Sequence, residues 1–162
     1  MINEVLQRDA LSRFASGVTV VTALSEDGSI AGLTANAFSS LSLDPPLILV
    51  CVGEGSSSRA AFNAAQSFSV HILAEDQKTV AMAFAKSTKN KSDGIPWTLT
   101  ERGTPMLRDY LVALECERAD EFLSGDHAII IGQIINIKVS NCGRAPMTYY
   151  RGKLNSLVIR DT

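Results

Sequence analysis

The sequence lacks the features that mark several large classes of protein. None of its three cysteines lies in a Cys-x-x-Cys pair or a Cys/His cluster, which excludes a zinc site of the usual spacing. Sparse, odd cysteines are typical of reduced thiols, and we expect a cytoplasmic protein. No run approaches the roughly 18 apolar residues that a membrane span needs. Residues 1–17 have acids at Glu4 and Asp9 and no apolar core, so we predict no signal peptide.

The sequence also lacks an excess of positive or negative charge, and it lacks the common catalytic motifs. Fifteen Lys and Arg oppose seventeen Asp and Glu, for a formal net charge of −2, so we expect no nucleic-acid partner and no membrane partner. There is no Gly-x-Ser-x-Gly, His-Glu-x-x-His or Walker A motif, and there are only two histidines. These absences exclude the usual hydrolase and P-loop chemistries.

Most of the sequence has the residue patterns of β-strands. The length of 162 residues, 46% of them hydrophobic, favours one domain over 1–162 with its own core. The Glu26-Asp27-Gly28-Ser29 step predicts a hairpin between strands at 18–25 and 30–36. The apolar run 47–52 predicts a strand buried on both faces. Further strands are predicted at 68–73, 110–119, 128–139 and 148–159, the last interrupted at 151–153.

Helical segments are fewer and shorter than the strands. One is predicted from an Asn3 cap to a stop at Gly17, and the others at 59–66 and 74–85, before a long irregular segment at 85–105. We expect six or seven strands, mostly antiparallel and closed into a barrel, because closure removes unpaired sheet edges.

Two loops have the composition of a ligand site. Residues 53–59, Gly-Glu-Gly-Ser-Ser-Ser-Arg, join a strand to a helix, and their glycines and hydroxyls suit a phosphate. A plain strand-to-helix turn is the alternative, and the likeness to a Rossmann fingerprint is imperfect because Ser58 takes the third position. Residues 34–47 are small and hydroxylated, which leaves room for a flat ring; a polar loop ending at Pro45-Pro46 explains them equally well.

Two shorter motifs add candidate side chains. His127, in Gly125-Asp126-His127, could orient a substrate or exchange a proton, or it could be an ordinary turn residue. Tyr150 and Arg151 could stack on a ring and meet a phosphate, or lie at a barrel rim. His71 lies within an apolar strand, and we assign it to the core.

Four blocks in order carry a resemblance over nearly the whole chain: FASGVTVVT from Phe14, GLTANAFSSLSLDPPL from Gly32, FSVHILAEDQ from Phe68 and GDHAIIIGQI from Gly125. They resemble the short-chain flavin reductase family, the small components of two-component flavin-dependent monooxygenases. The resemblance implies a mainly-β fold, the FMN-binding split β-barrel with Greek-key topology, assembled as a homodimer with sites near the subunit interface. It also implies reduction of FMN or FAD by NADH or NADPH, with reduced flavin supplied to an oxygenase partner. The alternatives are a non-catalytic flavin-binding protein and a flavin-dependent oxidase on the same barrel.

The resemblance also implies roles for individual residues. Thr34, Ala35 and Asn36 would lie against the flavin ring, with Ser39 and Ser40 close by. His127 would be the catalytic residue on the nicotinamide side, which Tyr150 and Arg151 would close. The residues expected beside the ribityl chain and phosphate are Cys51, Val52, Gly53, Glu54, Ser57 and Ser58, with added charge from Lys89 or Lys91.

Overall fold

The computed structural model describes residues 2–88 and 90–158 of the chain. The helices are α1 (Glu4–Ser12), α2 (Arg59–Ala64) and α3 (Lys78–Ala85). The strands are β1 (Ser16–Gly17), β2 (Thr19–Leu24), β3 (Ile30–Ala35), β4 (Phe38–Leu43), β5 (Pro46–Gly53), β6 (Ser67–Ile72), β7 (Trp97–Leu99), β8 (Pro105–Leu107), β9 (Val112–Ser124), β10 (His127–Val139), β11 (Met147–Tyr150) and β12 (Lys153–Ser156). The prediction of a mainly-β protein with short helices is confirmed.

One large antiparallel sheet organises the molecule. Its seven strands run in the order β3-β2-β6-β9-β10-β5-β4, and two smaller sheets contain β1-β11-β12 and β7-β8. The large sheet is not closed, because β3 and β4 are its two edges and pair with no further described strand. These edge strands are separated in the chain by only two residues, yet they lie at opposite ends of the strand order.

Several local predictions are confirmed by the backbone. The Asn3 side chain accepts hydrogen bonds from the amides of Val5 and Leu6, at 2.9 and 3.2 Å, although α1 ends at Ser12 rather than near Gly17. β2 and β3 form the predicted hairpin, and Gly28 at its turn has a φ of 79°. Residues 151 and 152 form the positive-φ turn between β11 and β12, as the interruption of the last strand predicted.

Two strand predictions were wrong. β5 is not buried on both faces: Ile48, Val50 and Val52 lie in the core, whereas the alternating residues Leu47, Leu49 and Cys51 stay partly exposed. Residues 34–47 were predicted to be a loop in both of the interpretations given for them, but 38–43 form strand β4. Serines are weak strand formers, and β4 forms because it pairs with β5. The pairing has a register shift between residues 40 and 42.

Close packing fixes the centre of the sheet. A main core lies between β2, β5, β6, β9, β10 and α2, and a second core lies under α3. A Cβ at Gly132 would come within 2.5 Å of the Phe68 ring, so only glycine lets β10 lie this close to that ring. None of the helices in the described ranges is long and apolar enough to cross a membrane.

Candidate functional site

A cleft opens between the end of β3, the loop after β5 and the end of α3. We call it the polar cleft; its volume is about 260 Å³, and residues 33–37, Cys51, Gly53, Ser56, Ser57, 84–87, Lys91 and His127 line it. A second cleft of about 290 Å³, the apolar cleft, is lined by Val18, Thr34, Asn36, Ala81, Met82, Ala85, Tyr149, Gly152 and Leu154. The two clefts share Thr34, Asn36 and Ala85, so they adjoin one another.

The end of β3 and the two residues after it form the shared wall. Thr34 Oγ1 donates to the carbonyl of Ala81 in α3 at 2.6 Å, and Thr19 Oγ1 donates to the carbonyl of Ala35 at 2.8 Å. These bonds fix the backbone of the segment against α3 and β2. Asn36 and Ala37 are left exposed on the cleft side, and their small size keeps the wall open to a ligand.

The loop after β5 forms the opposite wall. Ser56 and Ser57 line the polar cleft, whereas Ser58 is buried behind it and donates from Oγ to the carbonyl of Gly32 at 2.6 Å. The Ser58 hydroxyl therefore joins this loop to β3. Glu54 does not line the cleft, because its carboxylate pairs with Arg59.

Lys91 brings a buried positive charge to the polar cleft. It is only 9% exposed, and its Nζ donates to the carbonyl of Gly32 at 2.9 Å and to Ser58 Oγ at 3.2 Å. Burial lowers the pKa of this ammonium group. Both of these acceptors are neutral, and no carboxylate of a described residue forms an ion pair with Lys91. A buried charge without a counterion is costly, so the chemistry of this wall fits an anionic ligand group such as a phosphate.

His127 lies at the mouth of the polar cleft. It pairs with Gly53 across β5 and β10, and a Cβ at position 53 would lie 3.5 Å from His127 Nε2. His127 Nδ1 lies 2.7 Å from the Asp126 carboxylate, and this hydrogen bond lowers the pKa of Asp126. With Nδ1 bound to the carboxylate, the half-exposed ring has Nε2 left to interact with a ligand.

The structure brings only some of the predicted site residues together. Thr34, Ala35, Asn36, Cys51, Gly53, Ser57, Lys91 and His127 all line the polar cleft. Ser39 and Ser40 lie exposed on β4, and Val52 is in the core. Tyr150 and Arg151 belong to the β11–β12 turn, where the Arg151 guanidinium lies 6.0 Å from the centre of the Tyr150 ring. Lys89 lies outside the described residues.

Sequence reasoning missed part of the lining. Lys86 and Ser87 line the polar cleft, and Tyr149, Gly152 and Leu154 line the apolar cleft. The long irregular segment that begins at residue 85 was the available signal for Lys86 and Ser87, because long loops in small domains are often functional. Tyr149 follows from strand alternation, which points it to the face opposite Tyr150.

Comparison with known proteins decides the family. The sequence pattern described as "Flavin reductase like domain" matches residues 11–157. This chain belongs to the flavin reductase family. It is 40% identical over 145 residues to a Rhizobium meliloti protein, which aligns over 90% of this chain and 46% of that protein. It is also 40% identical over 128 residues to the FMN reductase (NADH) of Agrobacterium fabrum, over 79% of this chain and 72% of the other.

A solved structure of the family has the same fold. The NADH:FAD oxidoreductase of Streptomyces globisporus C-1027, in complex with NAD and FAD fragments, superposes with a TM-score of 0.89. Its identity to this chain is 32%, and the match covers 96% of this chain and 93% of that one. The chain spans about half the length of the first two curated relatives, one of them the reductase component of the trigonelline monooxygenase of Acinetobacter baylyi.

Proposed function

We propose that this protein is a flavin reductase that uses NADH or NADPH to reduce FMN or FAD. The reduced flavin would then serve a partner flavin-dependent oxygenase. Two relatives support the proposal by name: an FMN reductase (NADH) and the reductase component of a flavin-dependent monooxygenase. The observation that carries it is Lys91, a buried cation that faces the polar cleft and pairs with neutral acceptors.

The residues of the polar cleft would hold a flavin. Lys91 would neutralise the phosphate, and Ser57 would donate a hydrogen bond to it. The backbone of 34–36, which hydrogen bonds already fix, would lie along the ring, while Cys51 and Gly53 would flank the ribityl chain. Ser39 and Ser40 lie on the neighbouring edge strand, and Tyr150 and Arg151 would approach from the β11–β12 turn.

A bound flavin would supply the atom that accepts a hydride from the nicotinamide, so the protein needs no nucleophile of its own. The task of the protein is to hold the two rings about 3–3.5 Å apart. We assign His127 to the nicotinamide side, where Nε2 would orient the carboxamide. Asp126 would keep the ring of His127 in one orientation through Nδ1.

A homodimer is part of the proposal. In the outer face of the sheet, Ile129 of β10 lies opposite Cys51 of β5 on one side and Phe122 of β9 on the other, and Leu49 lies in the next row. Phe122 is 54% exposed, and Cys51, Leu49 and Ile129 are partly exposed. An apolar row across three strands is what a second copy of the chain would cover. Because Cys51 also lines the polar cleft, the second copy would border the site.

One assay separates the proposed activity from its rivals. Purified protein is mixed under air with NADH or NADPH and with FMN or FAD, and nicotinamide absorbance is followed against a sample without flavin. We expect nicotinamide oxidation that requires both protein and flavin. Flavin binding without nicotinamide oxidation would favour a non-catalytic binding protein, and oxygen uptake with an amine in place of a nicotinamide would favour an oxidase. The cytoplasmic location and the single domain over 1–162 stay predictions.

A further inference from the structure

An ion-pair network lies behind the loop of the polar cleft, with Arg59 at its centre. The Arg59 Nε donates to Glu54 Oε1 at 2.7 Å, and another nitrogen of the same guanidinium contacts Glu121 of β9. Arg118 also pairs with Glu121 and donates to two carbonyls at the end of α2, each at 2.8 Å. The network thus connects the cleft loop, α2 and β9.

The residues of this network differ in how deeply they are buried. Two of them are buried, and another is half exposed. The side chains of Arg59 and Glu121 are only 9% and 17% exposed, whereas that of Glu54 is 47% exposed. A buried charge keeps its partner because separation would leave it unpaired in a medium of low polarity. Arg59 and Glu121 are therefore the fixed part, and Glu54 is the residue that this part holds in place.

The backbone of Glu54 is bonded to the turn that carries His127. The backbone amide of Glu54 donates to the carbonyl of Asp126 at 2.9 Å, and Gly53 pairs directly with His127. Two residues further along the chain, Ser56 lines the polar cleft. Glu54 therefore connects the buried guanidinium to the serine loop and to the turn that carries His127.

We infer that Glu54 and Arg59 are positioning residues: the buried guanidinium of Arg59 holds Glu54 and so sets the spacing between the serine loop and His127. This inference rests on the proposed function. Hydride transfer depends on the separation of the two rings, and a misplacement of about 1 Å can cost about a hundredfold in rate. A small shift of the loop therefore changes the reaction without unfolding the protein. Neither side chain needs to touch the flavin.

Substitution of Glu54 tests this, because Arg59 stays paired with Glu121 when Glu54 is changed. We expect Glu54→Ala to raise the KM for flavin about five- to tenfold, or to lower kcat by a similar factor, with an unchanged melting temperature. Glu54→Gln can still accept a hydrogen bond from Arg59, and we expect it to restore most of the loss. Glu117→Ala is the matched control, because Glu117 lies on the same strand as Glu121 and forms an exposed ion pair with Arg102 at 2.6 Å. This variant should have the KM and kcat of the wild type.

The outcomes separate this inference from the proposed function. No flavin-dependent NADH oxidation by the wild type would contradict the proposed function, and with it the inference that depends on it. An active wild type with unchanged kinetics in Glu54→Ala would overturn the inference alone. So would a lower melting temperature of Glu54→Ala with unchanged KM and kcat, because that is the result of a purely structural ion pair.

Discussion

Lys91 and Arg59 are buried cations that both bond to the loop after β5, and their surroundings differ. Arg59 has two carboxylate partners, whereas Lys91 has a carbonyl and a hydroxyl. His71, fully buried between β2 and β8, shows a third arrangement: Nδ1 lies 3.0 Å from the Val20 carbonyl and Nε2 accepts from the amide of Leu107 at 3.0 Å. A carbonyl only accepts and an amide only donates, so His71 is neutral. Of the three, only Lys91 keeps an uncompensated charge, and it faces a cleft.

The largest expected effect comes from removing the paired cation. Arg59→Met leaves the Glu121 carboxylate buried without one of its partners, and we expect a loss of about 3–5 kcal/mol in the free energy of unfolding. Urea denaturation measures it. Arg102→Met, which breaks an exposed pair, should cost less than about 1 kcal/mol. Equal losses in the two variants would show that burial does not distinguish these pairs.

The neutral histidine makes the fold sensitive to acid. Burial lowers the pKa of His71 from 6.5 to about 4, so between these values the unfolded chain binds a proton that the folded chain does not. Its contribution to stability is fully present above pH 6.5 and is lost as the pH falls towards 4. We expect the free energy of unfolding to fall by about 3 kcal/mol through this proton. The measurement follows the free energy of unfolding against pH in the wild type and in His71→Asn, and the difference between the two curves gives the contribution of His71.

Direct titration provides an independent check on His71. The chain has only two histidines, so NMR titration should resolve their imidazole signals. A His71 signal that titrates near pH 6.5 in the folded protein would contradict the neutral assignment, even if the substituted protein does not fold.

The exposed histidine should affect the reaction rather than the fold. We expect His127→Ala to lower the rate of flavin reduction about tenfold or more while leaving the unfolding midpoint unchanged, because the ring is half exposed and acts at the cleft. Stopped-flow measurement of flavin reduction tests it. A wild-type rate in this variant would remove His127 from the proposed site.

The smallest expected effect is a gain of stability. Lys91→Met removes a buried charge that has neutral partners, so we expect the free energy of unfolding to stay the same or to rise by up to about 1 kcal/mol. Arg59→Met, measured beside it, should move in the opposite direction. A strong destabilisation by Lys91→Met would show that its two hydrogen bonds serve the fold.

The sequence predicted the features that depend on near neighbours in the chain. The β2–β3 hairpin, the Asn3 cap and the burial of His71 follow from short patterns. β4 was missed because its serines form a strand only against β5. The partners of the two cations could not be predicted, since Lys91 meets Gly32 and Arg59 meets Glu121 across about sixty residues of chain. Hydrophobic periodicity carries no information on such pairs.

The measurement that tests the account most directly compares FMN with riboflavin, which has the same ring system and no phosphate. Fluorescence titration of the wild type should give a Kd for FMN at least about tenfold lower than for riboflavin, because a charge-assisted bond to phosphate contributes about 1.5–3 kcal/mol. Lys91→Met should bind the two flavins with nearly equal Kd values and should bind riboflavin as the wild type does. An undiminished preference for FMN in Lys91→Met would contradict the claim that this buried charge is kept for the ligand.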